Sequence, residues 1–330
     1  MESRYPMNQR RLRASTQMRE LTASVVLNHK KFIQPLFVNQ SLQNRKPVAG
    51  MGDVWSDSLA TVFETIKNDM TNGINKFLLF PVPKDKYENE FNFDFALSVV
   101  KEIKAAFGSD IWLACDLCLC SYTTHGHCGI LSKDQSHLLN APTVSVLSDY
   151  ALKLVRSGVD CIAPSDMTDG RIGSIRRVLD DHNLDHVGIM SYSSKFASQY
   201  YGPFRDACDS APNSNGLKNR KTYQISPQNL NDAIESSLRD ASEGADILMV
   251  KPSVLYTDII SSIKQHSGKP VAAYHVSGEY ASIELMAEAG LLDKEKAHIE
   301  TWSALVRSGA DIIISYASRH AREWIARMEM

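Results

Sequence analysis

The sequence predicts an α/β protein built as a single (β/α)8 TIM barrel with an N-terminal arm. Three observations carry this. Short, near-continuous apolar runs recur eight times, as strands buried on both faces of a parallel sheet require. Segments of helical period lie between them, so strand and helix alternate throughout. Finally, three helix-to-strand joints repeat one pattern: Ser157-Gly158-Val159-Asp160, Glu243-Gly244-Ala245-Asp246 and Ser308-Gly309-Ala310-Asp311. In each, glycine suits the left-handed residue that ends a helix, and an apolar strand starts at once. A doubly wound open sheet is the competitor. It is disfavoured because no G-x-G-x-x-G follows the first strand and no phosphate loop of P-loop type is present.

The elements follow in order. Residues 1–28 are strongly charged and precede the first strand, so they cannot join the barrel core. They are expected to form an arm that reaches a neighbouring subunit, leaving residues 29–330 as the catalytic barrel. Strands are expected at 32–38, 76–80, 111–115, 159–163, 187–192, 246–250, 271–276 and 311–316. Helices are expected at 58–70, 93–106, 144–156, 172–181, 227–241, 257–266 and 294–306, with 319–327 closing the chain.

Composition narrows the function. At 330 residues a length prior suggests two domains, but α/β barrels of this size are single domains. The 36 Lys+Arg nearly balance the 38 Asp+Glu, so no nucleic-acid or anionic-membrane partner is expected. No apolar run approaches the ~18 residues of a membrane span. The N-terminal stretch MESRYPMNQRRLRAS lacks an apolar core, so a cytoplasmic protein is expected.

Six cysteines remain to be explained, and four of them fall between Cys115 and Cys128. The thiols are expected to be reduced. Cys118, Cys120 and Cys128 give a C-x-C-x7-C spacing that could supply three thiolates to a tetrahedral Zn²⁺, with the fourth position open for water or substrate. His125 and His127 could instead complete a closed structural site. Burial as small apolar residues, or a redox pair, is the plainer alternative. Cys115 and Cys161 read as core, and Cys208 has no assignment.

Barrel chemistry sits at the C-terminal ends of strands. Those ends collect Asp116, then Ser165 and Asp166, then Lys195, Lys251, the His275-to-Glu279 run and Tyr316. Lys251 follows Ala-Asp-Ile-Leu-Met-Val directly, and Lys195 lies just past Ile189-Met190. An amine in an apolar site, or near a second amine, has a lowered pKa and can attack a ketone to form a Schiff base. Alternatively, each lysine snorkels from the rim into water. Residues 209–222 form a long polar loop with the length of an active-site lid, and Arg205 and Arg220 could grip a carboxylate. A solvated basic loop is the other reading.

Four segments carry a resemblance: Asp116 to Leu131 (DLCLCSYTTHGHCGIL), Ser191 to Ala207 (SYSSKFASQYYGPFRDA), Gly244 to Pro252 (GADILMVKP) and Tyr274 to Tyr280 (YHVSGEY). Together they closely resemble the porphobilinogen synthase (5-aminolevulinate dehydratase) family, in its zinc-dependent branch. The likeness runs from the Arg-Arg-Leu-Arg of the arm to the Ser-Tyr of the last strand. It implies a hydro-lyase that condenses two molecules of 5-aminolevulinate into porphobilinogen with loss of two waters, in tetrapyrrole (heme) biosynthesis. By the same resemblance Lys251 is the principal Schiff-base lysine and Lys195 the second. Cys118, Cys120 and Cys128 would bind a catalytic Zn²⁺, one per subunit. Arg205 and Arg220, with Gln224 nearby, would hold one substrate carboxylate, and Ser277 and Tyr316 the other. Asp116 and Ser165 would line the pocket. A homo-octamer is implied.

One position departs from the pattern. Many bacterial members place a glutamate for an activating Mg²⁺ fifteen residues before the principal lysine, where this chain has Ser236, with Glu235 one residue earlier. A one-residue shift on a helix turns a side chain by about 100°, so an allosteric Mg²⁺ is doubtful. Two rival functions remain open at this point. A different Schiff-base aldolase on a barrel explains one lysine but not the cysteine loop. A zinc-stabilised scaffold protein has no use for two rim lysines.

Overall fold

The computed structural model describes residues 9–328. Its centre is a closed barrel of eight parallel strands: β1 (Phe32–Asn39), β2 (Lys76–Val82), β3 (Trp112–Leu117), β4 (Cys161–Pro164), β5 (Gly188–Lys195), β6 (Ile247–Lys251), β7 (Val271–His275) and β8 (Ile312–Ser315). Each strand pairs with its sequence neighbour, and β8 closes on β1 through Phe32 opposite Ile313. All eight lie within three residues of the expected bounds. A short hairpin, Lys46–Pro47 with Trp55–Asp57, extends the sheet beside the end of β1. No described helix is long and apolar enough to cross a membrane.

The repeated joint has a physical explanation. In each copy the aspartate carboxylate accepts the N–H that opens the preceding strand: Asp160 from Leu113 at 2.7 Å, Asp246 from Ile189 at 2.8 Å and Asp311 from Val271 at 2.8 Å. The aspartate's own N–H returns to the carbonyl of the same residue. A base from the helix that leads into that preceding strand then pairs with each carboxylate: Lys104, Arg176 and Lys264. The glycines adopt φ of +106°, +105° and +111°, where a side chain is strained. These clamps all sit at the N-terminal end of the barrel, opposite the chemistry.

Within the described barrel, two α-helices were not expected. Ser277–Glu288 follows β7 directly, and its apolar residues do not keep to one face; Leu285 and Met286 are exposed. Gly202–Ala207 is a short turn opened by Gly-Pro within what reads as loop. In the arm, Gln9–Arg13 and Thr16–Thr22 are short helices with no buried residue, and Leu21 and Val26 are 80% and 74% exposed. Residues 1–8 of the expected arm lie outside the described residues.

Replacing Gly244 by alanine is expected to cost about 1–3 kcal/mol through the positive φ, because a Cβ would also stand 2.9 Å from the Arg176 side chain. Urea titration followed by circular dichroism should show the lowered midpoint, with catalytic activity retained well below it.

Candidate active site

The last residue of β6 is Lys251, which pairs with Lys195 at the end of the neighbouring β5. That pairing depends on a bulge. Ser191 stands opposite Leu248, but Ser194 stands opposite Val250, so β5 carries one extra residue between them. Strand side chains alternate, and without the extra residue Lys195 would face the other way. The bulge turns both amines to the same side. Its serines are held in the protein: the Ser194 hydroxyl donates to the Ala233 carbonyl at 2.9 Å, and Ser193 and Ser194 both bond the Ser237 hydroxyl.

Lys251 is 2% exposed. Its Nζ lies 4.2 Å from the Tyr274 ring, 4.4 Å from Phe204 and 5.0 Å from Tyr192, with Tyr201 and Phe80 just beyond. Burial, and then the Lys195 charge, lower its pKa to about 7. A substantial fraction of this amine is therefore neutral near pH 7 and able to attack a carbonyl. The Lys195 ammonium donates to the Ser165 carbonyl. Asp116 lies beside both lysines; burial raises its carboxyl to about 6, against the pull of the two ammonium groups. It can hold or release a proton in the neutral range.

The loop after β3 brings the Cys118, Cys120 and Cys128 sulfurs within 4.8 Å of one another, all buried. Cys118 is pushed up, first by burial. Cys128 is pulled down, because its sulfur accepts from Cys118 and Cys120 and faces Arg220. Three buried sulfurs at this separation fit one thiophilic ion with a coordination position to spare. His127 does not complete the set. Its Nε2 lies 2.9 Å from the Leu217 carbonyl and its Nδ1 3.0 Å from the Tyr223 hydroxyl. His125 Nδ1 accepts the His127 N–H. Cys115, Cys161 and Cys208 are packed in the apolar core, which gives Cys208 the assignment its sequence lacked.

Residues 209–222 pack over this loop. Asn213 N–H donates to the His125 carbonyl and Leu217 N–H to the Gln135 carbonyl. Arg220 donates to the carbonyls of Gly126 and Ser210 at 2.8 and 2.6 Å. Under this cover Asp116, Cys120, Ser165, Lys195, Arg205, Arg220 and Lys251 share one small cavity of about 10 Å³ with Tyr201 and Phe204. Larger hollows, of about 670 and 490 Å³, lie elsewhere on the surface. Buried nucleophiles and thiols, rather than volume, locate the chemistry.

Three of the expected substrate-binding residues stand outside that cavity. The Ser277 hydroxyl accepts the Phe204 N–H at 3.1 Å. The Tyr316 hydroxyl lies 3.1 Å from that of Tyr274, and its ring stacks on Phe37. Gln224 is buried, faces a separate hollow with Thr168 and Arg239, and neither amide atom has a partner. Phe204 packs on Phe37 and Phe80 while its ring covers Lys251. On the helix before β6, Glu235 is exposed, whereas Ser236 is buried and accepts from Arg239. Sequence reasoning missed the aromatic cage, although Tyr201 and Phe204 stand in a motif it had singled out.

Comparisons with known proteins point to one family. A family model described as delta-aminolevulinic acid dehydratase matches residues 7–324. The chain is 42% identical over 319 residues to the delta-aminolevulinic acid dehydratase of Helicobacter pylori, covering 95% of this chain and 96% of that one. It is 39% identical over 322 residues to that of Synechococcus elongatus, covering 96% and 98%. A crystal structure of the Toxoplasma gondii delta-aminolevulinic acid dehydratase (porphobilinogen synthase), in complex with the reaction product porphobilinogen, superposes with a TM-score of 0.91 at 35% identity. It covers 96% of this chain and 91% of that chain.

The capture of Lys251 by an acylating reagent should rise with pH through about 7 and then level, while exposed lysines continue to rise toward about 10. Peptide mapping after short labelling pulses reads this. Lys195→Met should move the Lys251 midpoint upward by removing the second charge, leaving the larger effect of burial in place.

Proposed function

The chain belongs to the delta-aminolevulinic acid dehydratase family, and from that membership we propose how its residues divide the work. The enzyme is a hydro-lyase: it condenses two molecules of 5-aminolevulinate into porphobilinogen, a step of tetrapyrrole synthesis.

In our reading each substrate ketone meets one lysine. The neutral amine of Lys251 attacks the carbonyl carbon, water leaves, and an imine forms; Lys195 does the same for the second molecule. The imine withdraws electrons from the adjacent carbon and eases removal of its proton. Asp116 passes protons between leaving water and the reacting carbon, and Ser165 fixes Lys195 through its carbonyl. Arg205 and Arg220, with Gln224, hold one carboxylate. Ser277 and Tyr316 hold the other, so the two molecules meet in one orientation. The single observation that carries this reading is the paired, buried Lys251 and Lys195, which share a cavity with Cys120 of the thiol cluster.

We assign the cluster of Cys118, Cys120 and Cys128 to one Zn²⁺ per subunit. When bound it supplies a Lewis acid beside the substrate carbonyl or amine. The scheme uses no allosteric Mg²⁺. The two substrates exceed the closed cavity, so residues 209–222 and the Gly202–Ala207 helix must shift to admit them, as a lid does. The arm of residues 1–28, with its exposed Leu21 and Val26, is assigned to self-association, with a homo-octamer as the expected assembly. Reduced thiols suit the cytoplasm.

Incubation with 5-aminolevulinate and borohydride should fix an adduct on Lys251. Lys251→Ala should lose pyrrole formation by ~10³-fold or more; retained turnover would sink the scheme. Single Cys118→Ser, Cys120→Ser and Cys128→Ser variants should lose bound zinc and activity together while remaining folded. Full activity in a preparation shown by elemental analysis to hold no zinc would remove the metal assignment.

A further inference from the structure

Glu279 is 6% exposed, an unusual depth for a carboxylate. Backbone N–H groups meet it from two directions. One oxygen accepts from Val254 at 2.8 Å; the other accepts from Val276 at 2.9 Å and, more weakly, from Ser253 at 3.5 Å. The Val276 contact alone has a plain explanation. A glutamate at the third position of a helix often reaches back to the N–H just before it. That account leaves out Ser253 and Val254, which lie on a different loop, two and three residues beyond Lys251.

A third element joins the same point. Gly278 donates its N–H to the Tyr200 carbonyl at 2.8 Å, and a Cβ there would stand 2.7 Å from that oxygen. The neighbouring Ser277 hydroxyl accepts the Phe204 N–H. Tyr201, between them, places its hydroxyl 2.9 Å from the Lys251 carbonyl, and its ring flanks the Lys251 ammonium. The strand end that bears Lys251, the turn that bears Ser277 and the segment that covers both therefore meet around one carboxylate.

We propose that Glu279 is a positioning residue for the condensation: it fixes the distance between Lys251 and Ser277, and so the span between the imine and the carboxylate grip on one substrate molecule. This rests on the roles given above to Lys251 and Ser277. Three backbone donors from two loops, converging on one buried side chain, hold that span more firmly than the Val276 bond alone would.

Two variants test it. Glu279→Asp keeps a carboxyl at the start of the Ser277–Glu288 helix but is one methylene too short to reach Val254 as well. Glu279→Gln keeps the length but has one acceptor oxygen for two loops. In both, KM for 5-aminolevulinate should rise about tenfold or more, with the melting temperature of Glu279→Asp close to the parent's. Parental KM and kcat in Glu279→Asp would overturn the proposal and leave only a helix cap. In the unaltered protein the Val254 amide should exchange with solvent as slowly as that of Val276; exchange at the rate of an open loop overturns the proposal even if neither variant folds. Lys251→Ala, assayed alongside, separates the two readings. If it is active the Schiff-base scheme falls, whereas if it is inactive and Glu279→Asp behaves as the parent, only the positioning role falls.

Discussion

The site depends on keeping an amine dry. A lysine in water is charged and inert toward ketones; the Lys251 amine is shifted toward its neutral form because β6 ends inside the barrel mouth and five aromatic rings close around it. Desolvation is the largest cause of its lowered pKa, and the Lys195 charge adds to it. The rest of the structure follows from that constraint. The aromatic cage excludes water without supplying an anion that would hold the proton. Asp116, the one carboxylate at the cavity, is itself pushed toward neutrality by burial. The covering segment completes the enclosure.

The two ends of the barrel answer different demands. At the N-terminal end, aspartates and bases lock strand to strand and helix to sheet, in three copies of one joint. At the C-terminal end, buried polar groups are left without partners, among them Asp116 Oδ1, the Tyr192 hydroxyl and Nε of Arg205 and Arg220. Rigid clamps at one end hold the strands around whose other ends these groups gather.

Much of this was legible in the sequence, for identifiable reasons. Strands buried on both faces need continuous apolar runs, and such runs stand out. Lys195, Lys251 and the three cysteines were visible because charged or metal-binding residues are rare at the ends of those runs. What stayed hidden depends on tertiary context. The helix Ser277–Glu288 packs by local fit rather than by an apolar stripe, so its period is blurred. Glu279 looks like any glutamate until two distant loops bring their N–H groups to it. Phe204, which lines the closed cavity and bonds the Ser277 hydroxyl, is placed by tertiary contacts that no local pattern encodes.

The bulge in β5 carries a consequence for how such a site can be altered. Lys195 and Lys251 face each other because a whole number of residues, one more on β5 than on β6, separates Ser191 from the strand end. The side-chain direction of Lys195 is thus fixed by a count rather than by the chemistry of any residue in between. A survey of every single-residue exchange across Ser191 to Ser194 would leave that count untouched. One deleted codon would reverse the lysine and take its amine away from Lys251 while every residue of the candidate site remained present in the chain. Among natural or engineered relatives, alignment gaps in this strand therefore carry more functional weight than the exchanges beside them.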